Sequence, residues 1–493
     1  MGKPNNFKGK AEIRKATKEK LKYRKLKAER GCSLLFSALP MIAALFYFSF
    51  LFSTFILSGP SVSCAIMRIN LIAVGTVGDI HPVVAVASAL QGHGYKVRLC
   101  SHALYQNLAR EHDLEFFDLQ GGNPKEIMRD VHRTSSKWSF TRRLVHYYFQ
   151  SSTPSAGNLD RLIEACEDCD ALISSVVHAY HVAEAKRKPY VQLALYPIHV
   201  TTAFPHFLSR ATMSLGGTGN RLSHQLIHRL FWQRDRKWIN QWRTQRLHLA
   251  PESYWGIHSK LSKNQIPCLY GFSPSVIPHP RDWRSDCHIT GYWFLDEFKQ
   301  WSPAPDLLKF LENGPAPLGI AFGSVIEPRA AEFQRILLGA IAATKQRAIL
   351  MRGWGESAHT EKSPEIYWAD WIPFSWLLPK LQGVIHHGGA GSSSHILRAG
   401  LPSVTVPYSG EHLFWASRLF HLGVAPRPIP RKQLTERRLA DAISQICLDQ
   451  QYRRKAAPLR EAINSENGVQ EACKWVDYYL RSPGRKEWWP VKG

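Results

Sequence analysis

The sequence predicts an α/β protein of two doubly wound parallel sheets facing a cleft, preceded by a basic arm and a charge-free segment. Three observations predict it. Short apolar strands alternate with glycine turns and helical runs, the βαβ pattern of a parallel sheet covered on both faces. The alternation occurs twice, on either side of a proline-rich stretch at 301–317. The glycine turns fall where strands end, and ligands of such sheets sit beyond the carboxyl ends of the strands. At 493 residues the chain also exceeds one ordinary core.

The first 33 residues read as a polybasic arm; residues 1–30 hold twelve Lys or Arg against three Glu. Leu34 to Leu57 is a 24-residue run without a charge. At ~1.5 Å per residue it is long enough to cross a bilayer core, and a single-pass anchor is expected there. Pro40 leaves room for a re-entrant arrangement. Two other readings stand beside the anchor. Ser61-Val62-Ser63 offers small residues of the type found at signal cleavage sites. Met67 directly precedes the first strand and is itself a candidate first residue.

The N-terminal domain is expected over 67–300. Ile69 to Val74 is a continuous apolar strand, and Gly75 to Pro82 reads as a turn, with Pro82 placed to start a helix over Val83–Gln91. Gly92-His93-Gly94 stops that helix, and Tyr95–Cys100 is the next strand. Ala171–Ile173 and Tyr190–Leu193 continue the series. Residues 203–260 are rich in Arg, His and Trp at helical spacing and read as amphipathic helices over an open cleft. The stretch 301–317 is the expected linker. In the C-terminal domain, 318–480, strands are expected at Leu318–Phe322, Ala348–Met351, Gly383–Ile385 and Ser403–Pro407. Residues 481–493 form a tail.

Composition narrows the partners. The formal net charge is +24, of which the first thirty residues supply +9. A basic body suits anionic partners. Nucleic acid is not among them, because no array of basic and aromatic residues forms a recognisable binding module. Nine scattered cysteines give an odd number and no framework spacing, and Cys166-x-x-Cys169 lacks a second pair to complete a zinc site. No Asn-x-Ser/Thr sequon occurs. Asp168-Cys169-Asp170 reads as a turn feature.

The richest segment is His386-His387-Gly388-Gly389-Ala390-Gly391-Ser392-Ser393-Ser394, lying between a strand and a helical run. Backbone N–H groups in such a turn converge and hold an anion, usually a phosphate. Two adjacent histidines add side-chain donors.

These residues, with their neighbours, carry a resemblance. Gly75-Thr76-Val77-Gly78-Asp79-Ile80-His81-Pro82 is one part. Trp371-Ile372-Pro373-Phe374-Ser375-Trp376-Leu377-Leu378-Pro379 is the second, followed by His386 to Gly391, Arg398-Ala399-Gly400-Leu401-Pro402, and Pro407-Tyr408-Ser409-Gly410-Glu411-His412. From Met67 to about Leu480 the chain resembles GT-B nucleotide-sugar glycosyltransferases, above all the sterol glucosyltransferases and the bacterial enzymes that glycosylate antibiotic aglycones. The resemblance implies inverting transfer of a hexose, glucose for preference, from a UDP-sugar to a lipophilic hydroxylated acceptor, with no metal or other cofactor.

Residue by residue, it implies that Asp79 is the base, with His81 the neighbouring candidate. Asp is also a favoured helix N-cap, so a structural role stands beside the catalytic one. Asp79 works unaided or with His178. Val77 stands where close relatives carry Arg. Counting back from Pro402 makes His387, not His386, the phosphate histidine, joined by Gly389, Ala390, Gly391 and Ser392 and by the turn at Gly323-Ser324. Trp371 would stack on the nucleobase, Ile372 would read its edge through the backbone, and Arg352 would reach the nucleotide. Glu411 and His412 would hold the sugar, His412 replacing the family's amide. The positive-inside rule puts residues 58 onward across the membrane from the arm, which conflicts with a domain fed by a cytosolic donor. A nucleotide-sugar epimerase and an inactive GT-B membrane subunit are the alternatives.

Overall fold

A computed structural model describes residues 66–120, 123–126, 156–209, 213–296, 301–327, 329–353, 363–481 and 488–489. The chain divides into two units, Met1–Ala65 and Ile66–Gly493, and all the described residues belong to the second. The expected basic arm and membrane span belong to the first and lie outside the described residues. Among those that are described, no helix is long and apolar enough to cross a membrane.

The second unit holds two wholly parallel sheets. The first has seven strands: β1 (Arg68–Ile72), β2 (Lys96–Ser101), β3 (Glu115–Asp118), β4 (Ala171–Ser174), β5 (Tyr190–Ala194), β6 (Cys268–Tyr270) and β7 (Cys287–Ile289). Their spatial order is β3-β2-β1-β4-β5-β6-β7. The second has β8 (Leu318–Ala321), β9 (Ala348–Met351), β10 (Ile366–Ala369), β11 (Gly383–His386) and β12 (Ser403–Thr405), in the order β10-β9-β8-β11-β12. Strands such as β4, β8 and β11 are buried along their whole length, as a sheet covered on both faces requires. In each sheet the order reverses beside the first strand, at β1/β4 and at β8/β11. Those reversals open the crevices in which ligands of doubly wound sheets bind.

Three departures from the sequence reading concern the elements around these crevices. The first helix runs from Val77 to Gly92 and contains Pro82, so it begins six residues earlier than Pro82 suggested. Only Gly75 and Thr76 remain as the turn, and Asp79 sits inside the first helical turn. The expected linker carries the helix Pro305–Glu312, whose Leu307 is buried with Ile349, Ile372 and Val384. The last helix, Gly468–Arg481, lies in the first sheet's core rather than the second's: Ala472, Cys473, Val476 and Tyr479 pack with Ile69, Val84 and Leu99. The chain crosses back at Gly468, where a Cβ would stand 2.4 Å from the carbonyl oxygen of Tyr292. Only glycine permits that approach. Tyr95 and His93 then anchor the helix through Asp477, at 2.6 and 2.8 Å.

Candidate active site

Each residue expected to hold the donor follows the carboxyl end of a different strand of the second sheet. Trp371 follows β10, Arg352 follows β9, Gly323-Ser324 follows β8, His387 follows β11 and Glu411 follows β12. The sheet order therefore lays them out as Trp371, Arg352, Ser324, His387, Glu411. With strands about 4.8 Å apart the row spans roughly 19 Å. An aromatic face, a cation, a phosphate cradle and a carboxylate thus lie along one line. Trp371 is half exposed while Ile372 is buried. The Arg352 guanidinium is already paired with Asp370 at 2.7 Å.

The cradle is built locally. Gly389 caps the helix Ala390–Ala399, so Ala390, Gly391 and Ser392 are its first three residues. Their amides have no acceptor inside the helix and point out of its positive end. The two histidines divide the work. The His386 ring is fully buried; its Nδ1 accepts the Gly388 amide at 3.2 Å and its Nε2 meets the Ser403 hydroxyl at 3.3 Å. His387 Nδ1 has no hydrogen-bond partner among the described residues. Its Cε1 lies 3.4 Å from where a Cβ of Gly323 would stand, so the ring faces the β8 turn. Burial pushes its pKa down to about 4, opposed by the Ala321 carbonyl. The free ring is neutral at pH 7 and carries a single N–H, whose place on Nδ1 or Nε2 depends on the tautomer. His412 is expected at the sugar, but its ring lies edge-on against His387, 4.6 Å between centroids.

Behind the cradle, Glu327 joins two loops. Its carboxylate accepts the Tyr408 hydroxyl at 2.7 Å and pairs with Arg431 at 2.6 Å. This ties the segment after β8 to the one after β12.

Asp79 is not the N-cap that the sequence allowed but the N3 residue of a capping box at the start of the helix Val77–Gly92. Thr76 is the N-cap, and the Asp79 Oδ2 accepts its backbone N–H at 2.8 Å and its hydroxyl at 3.0 Å. Gly75 has φ +132°, and a Cβ there would fall 2.4 Å from the same Oδ2. The other oxygen, Oδ1, accepts the hydroxyl of Tyr196 at 3.0 Å. Burial raises the pKa of Asp79, while Thr76 and Tyr196 oppose the rise by stabilising the anion. Glu411, on the helix Gly410–His421, is pushed well above the carboxylate range by burial and then by the nearby charge of Asp79. The two carboxylates therefore share one low-dielectric space, formed where the sheets meet. A Cβ on Gly391 would lie 3.9 Å from the Cα of Gly78, so the anion cradle abuts the turn that carries Asp79.

His81 does not join this group. Two residues on from Asp79 it points ~200° around the helix. Its electrostatic neighbours are His112 and His395, and burial lowers it to about 4. Nor does Asp79 pair with His178, whose ring packs edge-on against Trp238 at 5.5 Å. The partner of Asp79 is Tyr196, which sequence reasoning missed. Its one signal was position: Tyr196 lies two residues beyond β5, at the same sheet edge as the Gly75 turn.

Tyr196 stacks on Phe207 at 5.3 Å, and His206 stacks on Phe207 at 4.5 Å. These rings line the first sheet's side of the crevice. Tyr196→Phe removes a hydrogen bond to the anionic form of Asp79, so its pKa rises further. The acid limb of the activity profile should move to higher pH, with a smaller effect at alkaline pH. A pH-rate profile read beside a donor-binding isotherm checks this, since donor affinity should hold.

Two groups of metal-ligating side chains lie together among the described residues. His181, Glu184 and Glu252 already hold Arg243 and Lys260 between them. His206, His224 and His228 form the other. Neither group includes Asp79 or a residue of the donor row.

Comparison with known proteins bears on the family and the fold. Residues 69–204 match the glycosyltransferase family 28 N-terminal domain, and residues 335–477 match the C-terminal domain of erythromycin biosynthesis protein CIII-like proteins. Two sterol 3-beta-glucosyltransferases of Arabidopsis thaliana are 33% and 32% identical over 427 and 428 residues, 84% of this chain in both cases. One of Cryptococcus neoformans is 31% identical over 440 residues, 83% of this chain. The chain spans 66% and 68% of the plant relatives' length and 27% of the fungal one's. The calicheamicin glycosyltransferase CalG4 superposes with a TM-score of 0.59 at 17% identity, covering 84% of this chain and 98% of that one. The glycosyltransferase VinC, solved with dTDP, gives 0.53 at 16% identity, covering 84% and 100%. These two show the shared fold.

Proposed function

This chain belongs to the GT-B glycosyltransferases with family 28 domains, as a relative of the sterol 3-beta-glucosyltransferases, and from that premise we propose that it transfers a hexose from a UDP-sugar to a hydroxyl of a lipophilic acceptor, with inversion. One observation carries the reading. The row from Trp371 to Glu411 lays out an aromatic face, a helix N-terminus with His387 and a carboxylate in the order that suits a base, a diphosphate and a sugar, and it ends beside Asp79 at the edge of the other sheet. UDP-glucose is the proposed donor and a sterol the proposed acceptor, by likeness to the curated relatives.

In the proposed reaction Asp79 takes the proton of the acceptor hydroxyl as its oxygen attacks the anomeric carbon, and the nucleoside diphosphate departs. Tyr196 and Thr76 fix the carboxylate, so the attacking oxygen meets an oriented base. The departing charge falls on the amides of Ala390, Gly391 and Ser392, the N–H of His387 and the hydroxyl of Ser324. Trp371 stacks on the base, Ile372 meets its edge, and Arg352 exchanges Asp370 for the nucleotide. Glu411 hydrogen-bonds a sugar hydroxyl, and His412 supports both sugar and His387. No metal is required, because the helix end and His387 supply the stabilisation. Neither the epimerase nor the inactive-subunit alternative draws support from the relatives.

Mass spectrometry tests this. Full-length protein, UDP-glucose, a sterol panel and EDTA should give a product 162 mass units heavier than the acceptor (the mass of a hexosyl group, ~162) together with UDP. Intact donor and acceptor across a panel of donors would overturn the proposal.

A further inference from the structure

The helix Gly216–Gln245 buries one face and leaves an apolar row on the other. Asn220, His224, Asp235, Ile239 and Trp242 are buried. On the opposite side Leu222, Leu226 and Leu230 are 56%, 58% and 61% exposed. Spaced four apart, they drift only ~40° per step and form a continuous stripe. Leu215 and Met213, just before the helix, extend it and are 53% and 70% exposed. Trp255 is 67% exposed beside it. Arg229 spans the rings of Trp255 and Tyr254, 4.8 Å from each centroid, and donates to the Tyr254 hydroxyl at 2.9 Å.

Charge identifies the occupant. Residues 203–260 contain nine Lys or Arg and two acids, Asp235 and Glu252. Both acids are buried and ion-paired. Within residues 203–260, leucines, an indole and cations are therefore exposed without a carboxylate. A second copy docking stripe to stripe would bring this basic face, with Arg229 and Lys237, against an equally basic face without exposed acids of residues 203–260 to offset it. A bilayer carrying anionic headgroups takes the leucines into its acyl boundary, the indole at its interface and the cations at its surface.

We propose that the outer face of the helix Gly216–Gln245, with Trp255, docks on an anionic lipid surface and holds the acceptor-side crevice against the bilayer. This goes beyond the transfer reaction and is independent of the identity of the sugar. It also differs from anchoring through residues 34–57, because it places this helix itself in lipid.

The test uses the full-length chain with Cys32 and Cys64 replaced by serine and Leu226→Cys labelled with an environment-sensitive fluorophore. The seven cysteines of the described residues are buried or half-buried. Adding phosphatidylcholine vesicles containing phosphatidylserine should blue-shift the probe; pure phosphatidylcholine should shift it far less. The surface variant L222E/L226E/L230E should lower vesicle partitioning at least about tenfold, with transfer to a detergent-dispersed acceptor unchanged. A probe that stays aqueous while the protein sediments with vesicles would overturn the proposal. So would a lipid-free shift accompanied by a dimer in sedimentation velocity. Neither readout needs a donor, so both would stand even if sugar transfer failed.

Discussion

Asp79→Asn should lower kcat by about a thousandfold while leaving UDP affinity nearly unchanged, as general-base removal costs typically 10²–10⁴-fold. The substitution keeps the size of the side chain; its one amide oxygen can still accept from Thr76, while the amide N–H group faces the Tyr196 hydroxyl and donates to it instead of accepting. What disappears is the capacity to take a proton. Glu411 should respond too, since the charge of Asp79 contributes to its raised pKa. Removing that charge makes the Glu411 carboxyl easier to ionise. The pH dependence has a definite sign. Burial raises the pKa of Asp79, so the base is lost as pH falls through a value above that of a free carboxyl. The acid limb of kcat/KM therefore lies higher than the ~3.9 of an exposed aspartate. Steady-state kinetics with isothermal titration of UDP separates the two effects. Unchanged turnover in the variant would remove Asp79 from the chemistry and leave it only its capping role.

His387→Ala should cost about a hundredfold in kcat, and UDP affinity about tenfold, on the scale of losing one preorganised donor at a developing charge. The ring is buried and neutral, with Nδ1 unmatched by any described residue. A buried, unmatched polar atom at the mouth of a helix N-terminus is consistent with a ligand supplying the missing partner. His386→Ala should behave differently. That ring is tied to Ser403 and Gly388, so its loss should lower thermal stability first and activity as a consequence. Comparing melting temperature with kcat for the two variants checks the division. Equal behaviour would contradict it.

Much of the second sheet was legible because β8, β9 and β11 are short apolar runs with a glycine two residues beyond their ends, and β9 matches its expected bounds at both ends; β10 lacks that glycine and was not expected. β3, Glu115–Asp118, was not legible: it is an edge strand of mixed polarity and lacks the continuous apolar run that marks β8 or β11. β6 and β7 have three residues each, too few for a periodic signal. Pro82 misled because proline usually marks a first helical turn, whereas here the helix begins earlier and carries it inside. Ser324, Arg352 and His387 could be placed because each follows an expected apolar strand, whereas Trp371 follows β10, which was not expected, and was singled out through the resemblance alone. Tyr196 was not legible, since its bond to Asp79 joins residues 117 apart in sequence. The Gly468–Arg481 helix shows an amphipathic face, yet nothing local says which of two sheets that face will cover.

The stereochemistry of a single turnover probes the chemistry at Asp79 with the fewest intervening steps. UDP-α-glucose labelled with ¹³C at the anomeric carbon, full-length protein and a sterol acceptor should give a β-glucoside by NMR. One base aligned with one acceptor hydroxyl permits one displacement, and one displacement inverts. An α-glucoside would mean retention, by double displacement or by attack from the leaving-group face, and would contradict the role given to Asp79.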